Sequence, residues 1–227
     1  MRYFPNPKFE KTGKRKYDTI EIKHLAYAWL AITFAFANVL VKGETGASFF
    51  GIGSYGGMLF LEYFIISGIA VGLGFLFHEL AHRFVARKFG MFAEFRASIP
   101  MLIFAVLLSF TGFVFAAPGA VLIRGKPTRR QNGIISLSGP LSNLVMAVLF
   151  FIIAVVVLGA FGVVSPFISK LFLYGFMINT WLALFNLIPI SLLDGRKIFR
   201  WNKLVWGLTA GFAVILFFLQ TGMIRLG

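Results

Sequence analysis

Five stretches of this chain run long and almost uncharged, from about His24 to Val41, Met58 to Val85, Ile134 to Ala160, Phe167 to Ile190 and Leu204 to Met223. An apolar run of about 18 residues or more is long enough to cross a bilayer as a helix. Within hydrocarbon, every backbone N–H and C=O must find its partner inside the protein, which leaves few folds open to such a chain. An all-α polytopic membrane protein with about five to six transmembrane helices is therefore expected. The composition agrees: 59% of residues are hydrophobic, 29 are Phe and the mean hydropathy is +0.85, well beyond a soluble domain.

The formal charge of +14 invites a nucleic-acid reading, but the Lys and Arg residues sit in the gaps between apolar runs. That is how a positive-inside topology distributes them, so the partner implied is the lipid bilayer and not nucleic acid. The chain has no Cys. Thiolate zinc sites and cysteine nucleophiles are excluded, and any chemistry falls to His, Asp and Glu.

Residues 1–23 carry seven basic residues and form a basic cytoplasmic amino-terminal segment; residues 24–227 are expected to form a single membrane-embedded domain. A cleaved signal peptide ending near Ala35-Phe36-Ala37 competes with a first membrane helix, but the basic region is too long for it.

The stretch from Ala97 to Ile123, interrupted by Pro100, Gly112 and Pro118-Gly119, is too short to cross twice at about 20 residues per crossing. It either crosses once or re-enters as a short helix with a hairpin turning at Pro118-Gly119. Re-entry gathers nineteen of the 22 basic residues on one side and leaves Lys42, Lys170 and Arg225 on the other. A single crossing would split them, so the charge distribution favours a re-entrant, β-hairpin-like segment over about 97–123. Non-helical backbone at that depth must line protein or a cavity, which places the segment beside a functional site.

Near the end of the second run stands His78-Glu79-Leu80-Ala81-His82. Residues four apart share a helix face, so both imidazoles point to one place with a carboxylate beside them. Two His and a third protein ligand hold zinc and leave a position for water, whose pKa falls to about 7 on the metal. Glu79 is the candidate base. The alternative is a pair of interfacial histidines, disfavoured because ionisable groups in an apolar span each cost about 2.5 to 3.5 kcal/mol.

For the third ligand, only Asp18 and Asp194 are available among aspartates. With re-entry, the span carrying HELAH and the span ending near Asp194 run in the same direction, which brings His78, His82 and Asp194 to similar depth. A turn carboxylate with no metal role is the bland reading of Asp194.

HELAH at 78–82, Asn186-Leu-Ile-Pro-Ile-Ser-Leu-Leu-Asp-Gly195 and Gly139-Pro140-Leu141-Ser142-Asn143 together resemble the site-2 protease family of intramembrane zinc metalloproteases. The resemblance spans about residues 58–200. It implies one Zn2+ per chain held by His78, His82 and Asp194, Glu79 as catalytic acid/base, and Asn186 and Asn143 as polar groups near the substrate. The implied substrate is the transmembrane segment of a membrane-anchored protein, cut in regulated intramembrane proteolysis. The implied location is the cell membrane, with a cytoplasmic amino terminus and the active site nearer the cytoplasmic face. Arg196 stands where many members have a second Gly, a departure that touches the local turn. The 227 residues leave no room for the soluble regulatory domains of some members. A helical substrate must unwind locally before it is cut, and a strand edge in the re-entrant segment is a candidate to hold the extended form. A membrane metal transporter or sensor using the same ligands is the rival from another class; internal repeats and polar residues at several depths would favour it.

Overall fold

The computed structural model describes residues 19–51, 56–114, 119–162, 164–190 and 193–226. Pro118 and the basic residues before residue 19 lie outside the described residues. In chain order the elements are α1 (Thr19–Thr45), α2 (Gly56–Lys88), β1 (Phe92–Ala97), α3 (Ile99–Ser109), β2 (Gly119–Arg124), α4 (Arg129–Phe161), α5 (Pro166–Leu187), α6 (Asp194–Trp201) and α7 (Lys203–Leu226). Among the described residues five helices are long and apolar enough to cross a membrane, namely α1, α2, α4, α5 and α7. The chain is a multi-pass α-helical membrane protein.

Local chemistry sets several of the boundaries. Thr128 opens α4 with a capping box: its hydroxyl accepts the Gln131 N–H at 3.2 Å, and the Gln131 side chain accepts the Thr128 N–H at 2.9 Å. Ser165 precedes α5, with Pro166 in the first helical position where a missing N–H costs nothing. Asn202 separates α6 from α7 by accepting the N–H groups of Leu204 and Val205.

The helices α2, α4 and α5 pack together, with α1 on the outer side of α2 and α7 against α5. Trp29 of α1 donates its indole N–H to the Gly68 carbonyl of α2 at 2.9 Å, an approach that the small residues along α2 permit.

The re-entrant segment is present, with its parts placed differently from the sequence reading. Gly119, expected in a hairpin turn, lies in a strand, β2. Strand β1, in a stretch read from sequence as a basic loop, pairs antiparallel with β2 from Phe92↔Arg124 to Ala97↔Gly119. The helix α3 and the turn after it are inserted between the two strands. Gly119 is in the strand by its pairing with Ala97, and a Cβ there would stand 2.4 Å from the Arg96 carbonyl oxygen. Helix α3 runs beside α1: Asn38 donates to Ser109 Oγ at 3.1 Å, and Lys42 Nζ donates to the Phe110 carbonyl at 2.7 Å. The segment thus reaches toward the far end of α1 and returns to the level it left.

The register also tells which way the backbone faces. In an antiparallel pair, alternate residues either exchange both backbone bonds or direct them outward. The Phe95 and Ala97 N–H groups reach side chains on α1, and the Ala93 carbonyl is held by Arg87. Residues 93, 95 and 97 therefore face outward from β1, and their partners Ile123, Val121 and Gly119 face outward from β2.

Helix α6 occupies the basic gap between the apolar runs that end near Ile190 and begin near Leu204. Its eight residues alternate apolar and cationic positions on a helical period, a pattern too short to stand out beside spans of twenty.

Because Phe92 and Arg124 are paired, the chain on either side of the segment must lie on one face of the membrane. Lys88→Cys and Lys126→Cys variants of this cysteine-free chain should react with an impermeant maleimide from the same side of sealed vesicles, and Ala47→Cys from the other. Opposite labelling of positions 88 and 126 would contradict the fold.

Candidate metal centre

His78 and His82 lie one turn apart on α2, 6% and 3% exposed, and Asp194 begins α6 at 7%. Their side chains meet. His78 Nε2 is 3.0 Å from His82 Nε2, and Asp194 Oδ2 is 3.5 Å and 2.9 Å from these two nitrogens. Three corners of a tetrahedron about an ion bound at ~2.0 Å would be separated by about 3.3 Å. Among the described residues this is the group of His, Asp and Glu side chains able to hold a metal.

The protons around these rings make the case stronger. His78 Nδ1 lies 2.6 Å from Asn143 Oδ1, and His82 Nδ1 lies 2.6 Å from the Ile135 carbonyl. The Asn143 orientation is fixed, because its amide nitrogen donates to the Gly74 carbonyl at 3.0 Å and to Asn179 Oδ1 at 3.2 Å. Each Nδ1 therefore faces an acceptor and carries the ring hydrogen, which leaves each neutral Nε2 with a lone pair. Two lone pairs and a carboxylate then face one another with no hydrogen between them. A cation would satisfy such an arrangement, and a d¹⁰ ion with nitrogen and oxygen donors fits it.

Each donor is placed by its surroundings. Asn143 and Asn179 are both fully buried, and Asn179 also donates to the carbonyls of Ala70 and Gly175. This satisfied network anchors the back of His78 to α4 and α5, as second-layer groups do in metal sites. Opposite the rings, α4 presents Gly139. A Cβ at that position would stand 2.4 Å from His82 Nε2 and 2.6 Å from His78 Nε2, so only glycine leaves the space open.

Asp194 is delivered by the junction of α5 and α6. Gly195 seats α6 against the end of α5, where a Cβ would fall 2.1 Å from the Leu187 carbonyl oxygen. Trp206 of α7 donates its indole N–H to that same carbonyl at 2.8 Å. The second oxygen of Asp194 is taken by Lys197, with Nζ 3.0 Å from Oδ1.

Glu79 follows His78 on α2 and is 8% exposed. Asn143 does not face an open cleft; it stands behind His78. Asn186 is half-buried and donates to the Leu182 carbonyl in its own helix. Glu62 is paired with Lys170 at 3.3 Å, together with Glu44 and Tyr63, at the other end of α2. The supporting residues Ile135, Gly139, Asn179 and Lys197 carried no role in the sequence reading. For Asn179 a signal existed, since an amide deep in an apolar span needs partners; a backbone carbonyl such as that of Ile135 leaves none.

The sequence profile of peptidase family M50 matches residues 66–168, which include HELAH and Gly139 to Asn143. A Methanocaldococcus jannaschii protein whose name assigns it as a zinc metalloprotease is 44% identical over 147 residues, covering 64% of this chain and 74% of its own length. A Bacillus subtilis protein named in the same way is 32% identical over 152 residues, covering 61% of this chain and 68% of its own. No solved structure matches the chain significantly.

Filling the space before the rings should displace the ion without touching a donor. Gly139→Ala should lower zinc affinity by about tenfold or more, in keeping with the ~1–3 kcal/mol of overpacking a tight site. Gly159→Ala, where nothing lies within 4 Å, should not change it. Zinc per chain, measured by elemental mass spectrometry after dialysis against a graded chelator, checks both.

Proposed function

The chain belongs to peptidase family M50, and from that membership we propose that it hydrolyses a peptide bond within or beside a transmembrane helix of a membrane-anchored protein. The activity class is zinc metalloprotease; the membrane-embedded substrate and a role in regulated intramembrane proteolysis are the finer reading. The observation that carries it is the meeting of His78, His82 and Asp194 inside a bundle of membrane-spanning helices, with Glu79 on the adjoining position of α2.

In this reading His78, His82 and Asp194 hold the zinc. When bound, the ion supplies Lewis acidity, making a water more acidic and polarising the scissile carbonyl. Glu79 takes a proton from the attacking water as its oxygen adds to the carbonyl carbon. It returns the proton to the nitrogen as the C–N bond breaks, so the products are a carboxylate and an amine. Asn143 holds His78 in the tautomer that offers Nε2. Lys197 occupies the Asp194 oxygen that faces away from the rings and favours binding through the other.

A substrate helix hides its carbonyls in its own hydrogen bonds and must be extended before it is cut. The basic residues flanking the segment, Lys88, Lys126, Arg129 and Arg200 among them, support a cytoplasmic placement of this face and of the amino terminus.

Glu79→Gln should retain zinc near one per chain while cleavage of a single-span reporter falls by roughly 10²- to 10⁴-fold, the usual worth of a positioned acid–base group. Glu62→Gln, at the far end of α2, should alter neither. Zinc lost together with the Glu79 carboxylate would contradict the role assigned to it, and undiminished cleavage would refute the proposal.

A further inference from the structure

Away from the metal centre, a cavity of about 270 Å³ lies between α1, α5, α7 and the turn after α3. Its walls are mostly aliphatic and aromatic, among them Phe36 and Leu40 of α1, Met177 and Ile178 of α5 and Phe217 of α7. One amide breaks this pattern. Gln220 of α7 lines the cavity and is 4% exposed, and its side-chain oxygen has no hydrogen-bond partner among the described residues. An acceptor left unpaired in apolar surroundings is costly, and within a membrane span no bulk water relieves it.

Tyr174 also lines the cavity, but its hydroxyl lies 3.5 Å from that of Tyr63 on α2, with the two rings edge to face. An ordered water would need two to four polar partners, which walls of this kind do not offer. A molecule that is apolar along its body and carries one hydrogen-bond donor fits better. The depth of the lining residues gives its direction. Gln220 stands seventeen residues beyond Lys203, about 25 Å along α7, so in ~30 Å of hydrocarbon it lies close to the boundary opposite the basic helix ends. Trp181 stands seven residues beyond Tyr174 on α5, about 10 Å deeper. There Phe113 meets Trp181 edge to face at 6.4 Å, and the two are 45% and 36% exposed. Exposed aromatic surface at this depth faces lipid, so the cavity adjoins the bilayer on that side.

We propose that this cavity is a binding site for a single-chain lipid alcohol, whose hydroxyl donates to Gln220 Oε1 and whose chain runs inward past Met177 to Trp181. A hydroxyl also accepts, so the same group can pair the Gln220 amide N–H. The volume is just below the ~300–1,000 Å³ of pockets for drug-sized ligands, which is room for one chain and not for a two-chain phospholipid. A phosphate or carboxylate head would go unpaired, because no Lys or Arg is among the described residues that line the cavity. The head group is therefore neutral, and Gln220 is the residue that selects it.

The test uses the full chain in phosphatidylcholine vesicles and reads tryptophan fluorescence, which a nearby bromine quenches. The probes are a ten-carbon alcohol with a terminal bromine and the matching bromoalkane, which differ only in the hydroxyl. The alcohol should quench saturably, at a concentration about tenfold below that needed for the bromoalkane, the advantage expected from pairing a buried acceptor. Trp181→Phe should remove the saturable part of the signal. Gln220→Leu, which puts an apolar residue in the span, should abolish the advantage and leave the two probes equal. Quenching by both probes that rises without saturation in the wild-type chain, as partition into the bilayer gives, would overturn the inference. So would an alcohol preference that persists in Gln220→Leu. Saturable quenching by a brominated single-span reporter peptide and not by the alcohol would assign the cavity to a protein segment and overturn it as well.

Discussion

Two imidazoles and a carboxylate converge where none of them has a hydrogen to offer the others, and much of the molecule is arranged around that fact. Without a cation the three acceptors would repel one another in surroundings of low dielectric. With one, the same convergence becomes a strong site. The protein settles this ahead of time by occupying both Nδ1 positions with the Asn143 side chain and the Ile135 carbonyl. Those partners lie about two turns apart on α4, so the orientation of two residues on α2 is decided by the packing of a neighbouring helix.

The bundle is built to keep that packing close. Gly139 lets the backbone of α4 approach the rings, and Pro140 beside it frees the Ser136 carbonyl from its usual helical bond. Asn179 crosslinks α5 to α2 and to Asn143 with every amide position used, which suits a polar group in an apolar interior. Helix α6 lies between α5 and α7 as a short amphipathic element whose first residue is Asp194. An acidic residue in a first turn also complements the helix dipole. The carboxylate that completes the group is thus the member most dependent on the fold, because it arrives through a tight α5–α6 junction and not along a span.

The spans were legible in the sequence because hydrocarbon imposes one simple requirement on each of them. HELAH was legible because its spacing matches the helical repeat. Asp194 could be reached by elimination among the aspartates once the direction of the spans was argued from charge, and the geometry brings it to both imidazoles. The placement of β1 was not legible. Phe92-Ala-Glu-Phe-Arg-Ala97 does alternate, but its buried Glu94 is compensated by Arg96 and Arg124, a contact formed only after the strands pair. The direction of Asn143 was not legible either: its side chain faces His78 Nδ1, and a motif records that an amide is needed and not which way it faces. The Glu21–Arg83 pair was hidden for a related reason: its members are 62 positions apart and each reads alone as an interfacial charge.

The central claim is that one zinc ion is held jointly by α2 and α6. Anomalous diffraction on crystals of the purified chain, collected on both sides of the zinc absorption edge, tests it most directly. The account predicts one peak per chain within about 2.0–2.2 Å of His78 Nε2, His82 Nε2 and a carboxylate oxygen of Asp194. A zinc peak bound by the two histidines with Asp194 turned away, or a peak elsewhere in the bundle, would contradict it.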